Sequence, residues 1–143
     1  MDSETVLKTE WIGSIQGSGI THSPVLNTVI AVPSEFGGTG MGSGPMDFLV
    51  ASAATCYLMT VVGMLEAKKI KIIDLILHTE TASKTKVLVI NHFLELKISS
   101  NLTEEQSKIA ENIIVKADRA CHVGNMLRKA DVQINIQSKL IQI

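Results

Sequence analysis

Gly37-Gly38-Thr39-Gly40-Met41-Gly42-Ser43-Gly44-Pro45-Met46-Asp47-Phe48-Leu49-Val50-Ala51-Ser52-Ala53-Ala54-Thr55-Cys56 is the stretch on which the plan of the chain turns. Its first half, with Phe36 before it, is a loop that only glycine-tolerant backbone geometry can make. Pro45 then stands where a first helical residue should, since its missing N–H costs nothing there. Asp47 falls in the first turn, where a carboxylate complements the helix dipole. The helix should run to about Lys68, with Lys68 and Lys69 suiting its negative end. The loop has no Lys after its last glycine and misses the GxGxxG spacing, so it is neither a Walker A loop nor a dinucleotide loop. Free N–H groups at a helix start could receive an anionic or polar group; a plain strand-to-helix connector is the simpler reading.

From Phe48 to Leu65 the helix carries 18 residues without a charge, which meets the lower threshold for a membrane span. It is, however, rich in Ala, Ser and Thr, and a helix apolar all round equally marks one buried in a globular core. With half-buried strands on either side of it in sequence, the expectation is a core helix and no membrane.

Upstream, residues 5–17 and 25–32 read as strands of an antiparallel hairpin or meander, with Gly17, Gly19 and Pro24 between them. Downstream, residues 70–80 place Ile73, Leu75 and Leu77 on one face. Residues 87–99 alternate cleanly, Leu88, Ile90, His92, Leu94, Leu96 and Ile98 against Asn91, Glu95 and Lys97. Ser83-Lys84-Thr85-Lys86 is the expected hairpin tip. Thr103-Glu104-Glu105-Gln106 is a capping box opening an amphipathic helix, with Ile109, Ile113, Ile114, Ala117 and Ala120 inward and Cys121 at its end. Gly124 should interrupt that helix, Asn125 cap a short one through Lys129, and 132–142 close as a strand. No repeat, linker or low-complexity tract divides the 143 residues. The expectation is one α+β domain over 1–143, sheet layers packed on helices.

The formal net charge of −1 gives no electrostatic reason to expect nucleic acid or an anionic membrane as partner. Arg119 and Arg128 are the only arginines, which weakens any phosphate-gripping role. The acidic, polar start Met1-Asp2-Ser3-Glu4-Thr5 lacks the pattern of a secretory signal, so the expected compartment is the cytoplasm. There two cysteines are free, metal-bound or catalytic rather than a permanent disulfide. Cys56 and Cys121 lie 65 positions apart, too far for a compact CxxC clip, and no local spacing of His or carboxylates completes a metal site. His22, His78, His92 and His122 are scattered; His92, on an apolar strand face, reads as a satisfied core histidine. No metal and no cofactor are expected.

By position alone Cys56 and Cys121 each read as small buried hydrophobes. Cys121 has His122 beside it and Arg119 two residues back, and a cation lowers a thiol's pKa. The end of a helix works the other way on an anion, so the spacing leaves open which sulfur is the better nucleophile. Met41, Met46, Met59, Met64 and Met126 read as gap-filling core residues, with Met41 and Met46 also placed to line an apolar pocket by the loop. Asp47 is a helix-start carboxylate with a possible second role at such a pocket.

The run from Gly37 to Cys56 resembles the glycine loop, Pro-containing helix start and small-residue helix that lead to the first cysteine of the OsmC/Ohr family. Ala120-Cys121-His122-Val123-Gly124-Asn125-Met126-Leu127 resembles the segment around that family's second cysteine. The resemblance covers essentially the whole chain. It implies an OsmC/Ohr-like α+β fold of antiparallel sheets packed on a long buried central helix, in an intertwined homodimer. It further implies a cysteine-based, peroxiredoxin-type peroxidase of oxidative-stress defence. Cys56 would attack an organic hydroperoxide and Cys121 would resolve the product to a disulfide, which an external dithiol reduces.

One departure bears on this. The family's peroxidases activate the first cysteine with an arginine from the N-terminal strands and a glutamate early in the central helix. Residues 1–30 hold no arginine; its place falls near Ile15, and the glutamate position is Met46, with Asp47 beside it. The Pro-Met-Asp helix start resembles a less characterised OsmC-like branch. Without the arginine, a Cys56 thiolate in an apolar helix should be costly and its pKa raised. The alternative implied is a non-catalytic OsmC-like protein that binds a small ligand or senses redox state.

Overall fold

The computed structural model of the protein describes residues 6–84 and 86–143. Three strands, β1 (Lys8–Ile12), β2 (Ser18–His22) and β3 (Asn27–Ile30), form one antiparallel sheet in that order. The expected first strand over 5–17 is therefore shorter. Thr5 lies outside the described residues, and Gly13, at φ 97°, ends β1 in a backbone conformation that few other residues adopt. Gly19, expected in the turn, sits within β2 opposite Trp11 and Ile30. Between β2 and β3 the Ser23 hydroxyl accepts the Val25 and Leu26 amides, a side-chain-closed turn.

The chain divides into two compact units, Met1–Leu49 and Val50–Ile143. In the first, the glycine loop is laced to β3 and its flank. Ser43 N–H donates to the Val29 carbonyl at 2.9 Å, Gly40 N–H to Val32 at 3.0 Å and Gly38 N–H to Pro33 at 3.2 Å. A Cβ on Gly38 would collide with the Val32 carbonyl oxygen, so the close approach requires glycine. Gly44 N–H donates to Asp47 Oδ2 at 2.8 Å. These amides are taken by the chain's own oxygens, which pins the loop as a strand-to-helix connector.

Helix α1 (Pro45–Ala67) begins at Pro45 as the sequence predicts. In the second unit, Ala53, Tyr57, Val61 and Leu65, four residues apart, form its buried stripe. The expected all-round burial is not met within the chain, where Met59 is 71% exposed and Val62 is exposed. By length and composition α1 could also cross a membrane, its 18-residue window having a mean hydropathy of 1.9.

Strands β4 (Ile72–Lys84) and β5 (Val87–Ile98) pair antiparallel with Leu77 opposite Leu94 and Thr79 opposite His92. Thr85, at the expected hairpin tip, lies outside the described residues. β5 buries Ile90, His92, Leu94, Leu96 and Ile98, the face its alternation predicts. Tyr57 stacks on His92 with ring centroids 5.6 Å apart and donates its hydroxyl to the Ile114 carbonyl at 2.9 Å. Thr79 Oγ1 lies 2.8 Å from His92 Nδ1, so His92 is the satisfied core histidine expected.

Helix α2 (Glu104–Ala120) opens with the complete Thr103–Gln106 capping box and buries Ala110, Ile113, Ile114 and Ala117. Strand β6 (Gln133–Gln142) then pairs parallel to β5, completing the order β4-β5-β6. The expectation of antiparallel sheets fails at this pair. A helical connection carries the chain back along the sheet before β6 begins, which is the connection parallel strands need.

Candidate active site

The helix that ends at Ala120 does not continue through Cys121 to Gly124 as expected. Cys121 takes an extended backbone, φ −70° and ψ 108°, closing α2 and serving as N-cap of α3 (His122–Lys129). Its sulfur accepts the Gly124 N–H at 3.4 Å, in the role that a serine or aspartate oxygen fills at most helix starts. Asn125, the expected cap, lies inside α3, where its side-chain amide donates to the Arg119 carbonyl at 2.7 Å.

This turn brings the two cysteines together. Cys56, on the middle of α1, is partly exposed; Cys121 is 2% exposed; both are free thiols. Cys56 packs against the core cluster that contains Cys121, close enough for the Cys121 thiol and the backbone amides of Val123 and His122 to act on its pKa. Burial pushes the Cys56 pKa up, but the Val123 amide, the Cys121 thiol, the His122 amide and the Thr60 hydroxyl together hold it below that of an ordinary thiol. This corrects the expectation of a raised value: main-chain N–H groups at a helix start help to outweigh the cost of burial.

The net shift of Cys121 is the other way: burial pushes it up to about 11, with the Cys56 sulfur and the Asp118 carboxylate adding to it and the Gly124 amide only partly offsetting them. The arrangement is therefore polarised, a partly exposed thiol held more acidic than usual beside a buried thiol that stays protonated.

The other sequence candidates lie in the N-terminal unit. Met46 and Asp47 line a groove of about 940 Å³ there with Trp11, Leu26, Phe36 and Phe48. Met41 is 84% exposed and is not among the lining residues. Asp47 holds the Gly44 amide, the helix-start role it was assigned. Sequence reasoning missed the His122 and Val123 amides and Thr60. It weighed His122 as a cation, whereas the main chain of that residue is what acts on Cys56. Among the described residues no group of three or more His, Cys, Asp or Glu is arranged to hold a metal ion.

The OsmC-like protein family model matches residues 38–137, a span that takes in both cysteines. The chain belongs to that family. It is 27% identical to the Bacillus subtilis (strain 168) protein named "Uncharacterized protein YmaD", with 97% of each chain covered. Its fold is that of an OsmC-like protein from Mycoplasma pneumoniae, at a TM-score of 0.73 and 22% identity, over 99% of both chains. It is also that of the organic hydroperoxide resistance protein OhrB of Bacillus subtilis, at a TM-score of 0.60 and 18% identity, over 94% of this chain and 98% of the other.

Proposed function

We propose that the protein is a thiol-dependent organic hydroperoxide reductase, a single OsmC-like domain acting as a homodimer in the cytoplasm. The observation that carries this reading is the meeting of two free cysteines from distant parts of the chain in one core cluster, and their opposite pKa directions support it. The Cys56 thiolate attacks the terminal oxygen of ROOH; the O–O bond breaks, Cys56 becomes a sulfenic acid and the alkoxide leaves as ROH after taking a proton. The Cys121 thiol, held beside it, condenses with the sulfenic acid to a disulfide, releasing water. An external dithiol then returns both cysteines to thiols and is itself oxidised. Free thiols of this kind suit the reducing cytoplasm.

The exposed apolar residues of α1, Met59 and Val62, support the dimer, in which a second copy would cover them. Light scattering should find two chains per particle without detergent, and a detergent-dependent monomer would end the dimer reading. For the activity, reduced protein mixed with cumene hydroperoxide and dithiothreitol should consume peroxide well above dithiothreitol alone. Cys56→Ser should return consumption to that background. Equal rates with and without wild-type protein would sink the enzymatic reading.

The apolar groove of the N-terminal unit favours a second reading, a binder of small apolar molecules whose cysteines play no catalytic part. A rise in melting temperature with an apolar alcohol, alongside cysteines inert to cumene hydroperoxide, would establish it.

A further inference from the structure

Arg128 reaches three segments from its place on α3. Its Nη2 donates to both carboxylate oxygens of Asp118 on α2 at 2.8 Å and to the Ile134 carbonyl of β6 at 3.3 Å. Its Nη1 donates to the Asp118 carbonyl at 3.3 Å and to Asn125 Oδ1 at 3.4 Å. Asn125 in turn grips the Arg119 carbonyl. Both members of the ion pair are partly buried, at 30% and 23% side-chain exposure, where a charge-assisted pair outweighs its surface counterpart. The bonds to Asp118 and to the Arg119 carbonyl tie the last turn of α2 to α3, and the bond to Ile134 ties α3 to β6; Cys121, His122 and Val123 lie within the stretch between Arg119 and Asn125.

We propose that Arg128 and Asp118 are positioning residues, whose ion pair holds the Cys121-His122-Val123 turn in place beside Cys56. The inference deepens the reductase reading, since it names what sets the acidity of the attacking thiol. Arg128 is not itself the replacement for the family's activating arginine, because its donors are committed to Asp118, Asn125 and Ile134. The stabilising dipoles are directional, so they act only while the turn keeps its orientation. Around Cys56, Thr60 on its own helix donates its hydroxyl to the Cys56 carbonyl at 2.7 Å, and the turn brings the Cys121 thiol and the two amides near. Asp118 carries the charge felt at Cys121, and the His122 side chain is exposed.

The test is alkylation of Cys56 by iodoacetamide across pH in the reduced full-length protein, resolved from Cys121 by peptide mass spectrometry. It needs no peroxide, so loss of peroxide turnover and loss of this inference are separately readable. Arg128→Lys keeps the charge but cannot span the three segments; it should move the Cys56 inflection up and slow labelling at pH 7 by about threefold to tenfold. The double variant Arg128→Ala/Asp118→Ala removes both charges and should stay shifted, because the turn is still untethered. A return of the double variant to the wild-type profile would mean that charge and not position is at work, and would overturn the proposal. Asn125→Ala, a milder cut, should shift the profile in the same direction and covers the case in which Arg128 variants fail to fold. Ile109→Ala, which weakens α2 packing away from the turn, should lower the melting temperature without moving the Cys56 profile. Profiles of Arg128→Lys and Asn125→Ala that superimpose on wild type would also overturn it.

Discussion

The middle of α1 and the turn between α2 and α3 each present one sulfur, yet they treat it differently. At α1 the cysteine stands partly exposed on a regular helix, with no main-chain N–H of its own helix free to serve it. At the turn, the backbone breaks at Cys121 and starts again, so a set of unpaired amides is released. One of them, from Gly124, is spent on Cys121 itself, while those of His122 and Val123 lower the pKa of Cys56. The irregular segment thus supplies the regular one with the dipoles it lacks, and keeps its own thiol buried and protonated. Acidity here is a property of the neighbouring element and not of the cysteine's own surroundings in sequence.

Replacing the turn's sulfur breaks this pairing outright. Cys121→Ser should still allow one oxidation of Cys56 by hydroperoxide, trapped as a dimedone adduct, but should abolish the internal disulfide and lower steady-state turnover at least tenfold. An undiminished disulfide yield between protomers would show that resolution does not depend on Cys121.

The next largest effect sharpens the contrast. An ordinary thiol titrates near about 8.5; Cys56 lies below an ordinary thiol and Cys121 at about 11. At pH 7.5 the thiolate population should favour Cys56. Limited iodoacetamide labelling should therefore modify Cys56 almost alone, with Cys121 following only in strong base. Equal labelling of the two peptides in the folded protein would contradict the polarised pair.

A cut in the core asks whether the contrast is local. Leu94 is fully buried on β5, and Leu94→Ala should cost about 2–5 kcal/mol in urea unfolding while leaving the labelling preference in place.

The smallest effect is one of pH. Burial holds the His92 pKa below that of a free imidazole; Asp118 opposes the shift and Arg128 adds to it. The unfolded chain therefore binds a proton near about pH 6.5 that the folded one refuses. His92's contribution to stability should be present above that value and lost as the pH falls from it toward the lower folded pKa. Urea midpoints for wild type and His92→Gln at pH 7.5 and 5.5 should converge on the acid side.

Much of this was legible in the residues because the deciding signals are local. Pro45 and Asp47 mark the start of α1, Thr103 and Gln106 reach each other across one helical turn, and the alternation of β5 names its buried face residue by residue. Gly19 misled because a glycine in a strand carries the same letter as one in a turn. The parallel pairing of β6 was not legible, since its partner is chosen by the return path of two helices and not by its own pattern. The cysteines were readable as a pair only through a family likeness. The direction of the Cys56 shift was not readable, because it depends on backbone amides exposed where Cys121, an unusual capping residue, breaks the helix. The Arg128–Asp118 pair spans ten residues and two helices, beyond any spacing rule.

The second cysteine rides on the crossover between β5 and β6, and this gives the site a place in the order of folding. β4 and β5 are joined by a short hairpin and can meet early, whereas β6 must wait until the chain between Ile98 and Gln133 has closed on itself, the slowest kind of contact to search for. Arg128 finds the Ile134 carbonyl only once that strand has docked. A nascent or partly unfolded chain in which β6 has not docked therefore lacks one of the contacts that fix the turn beside Cys56.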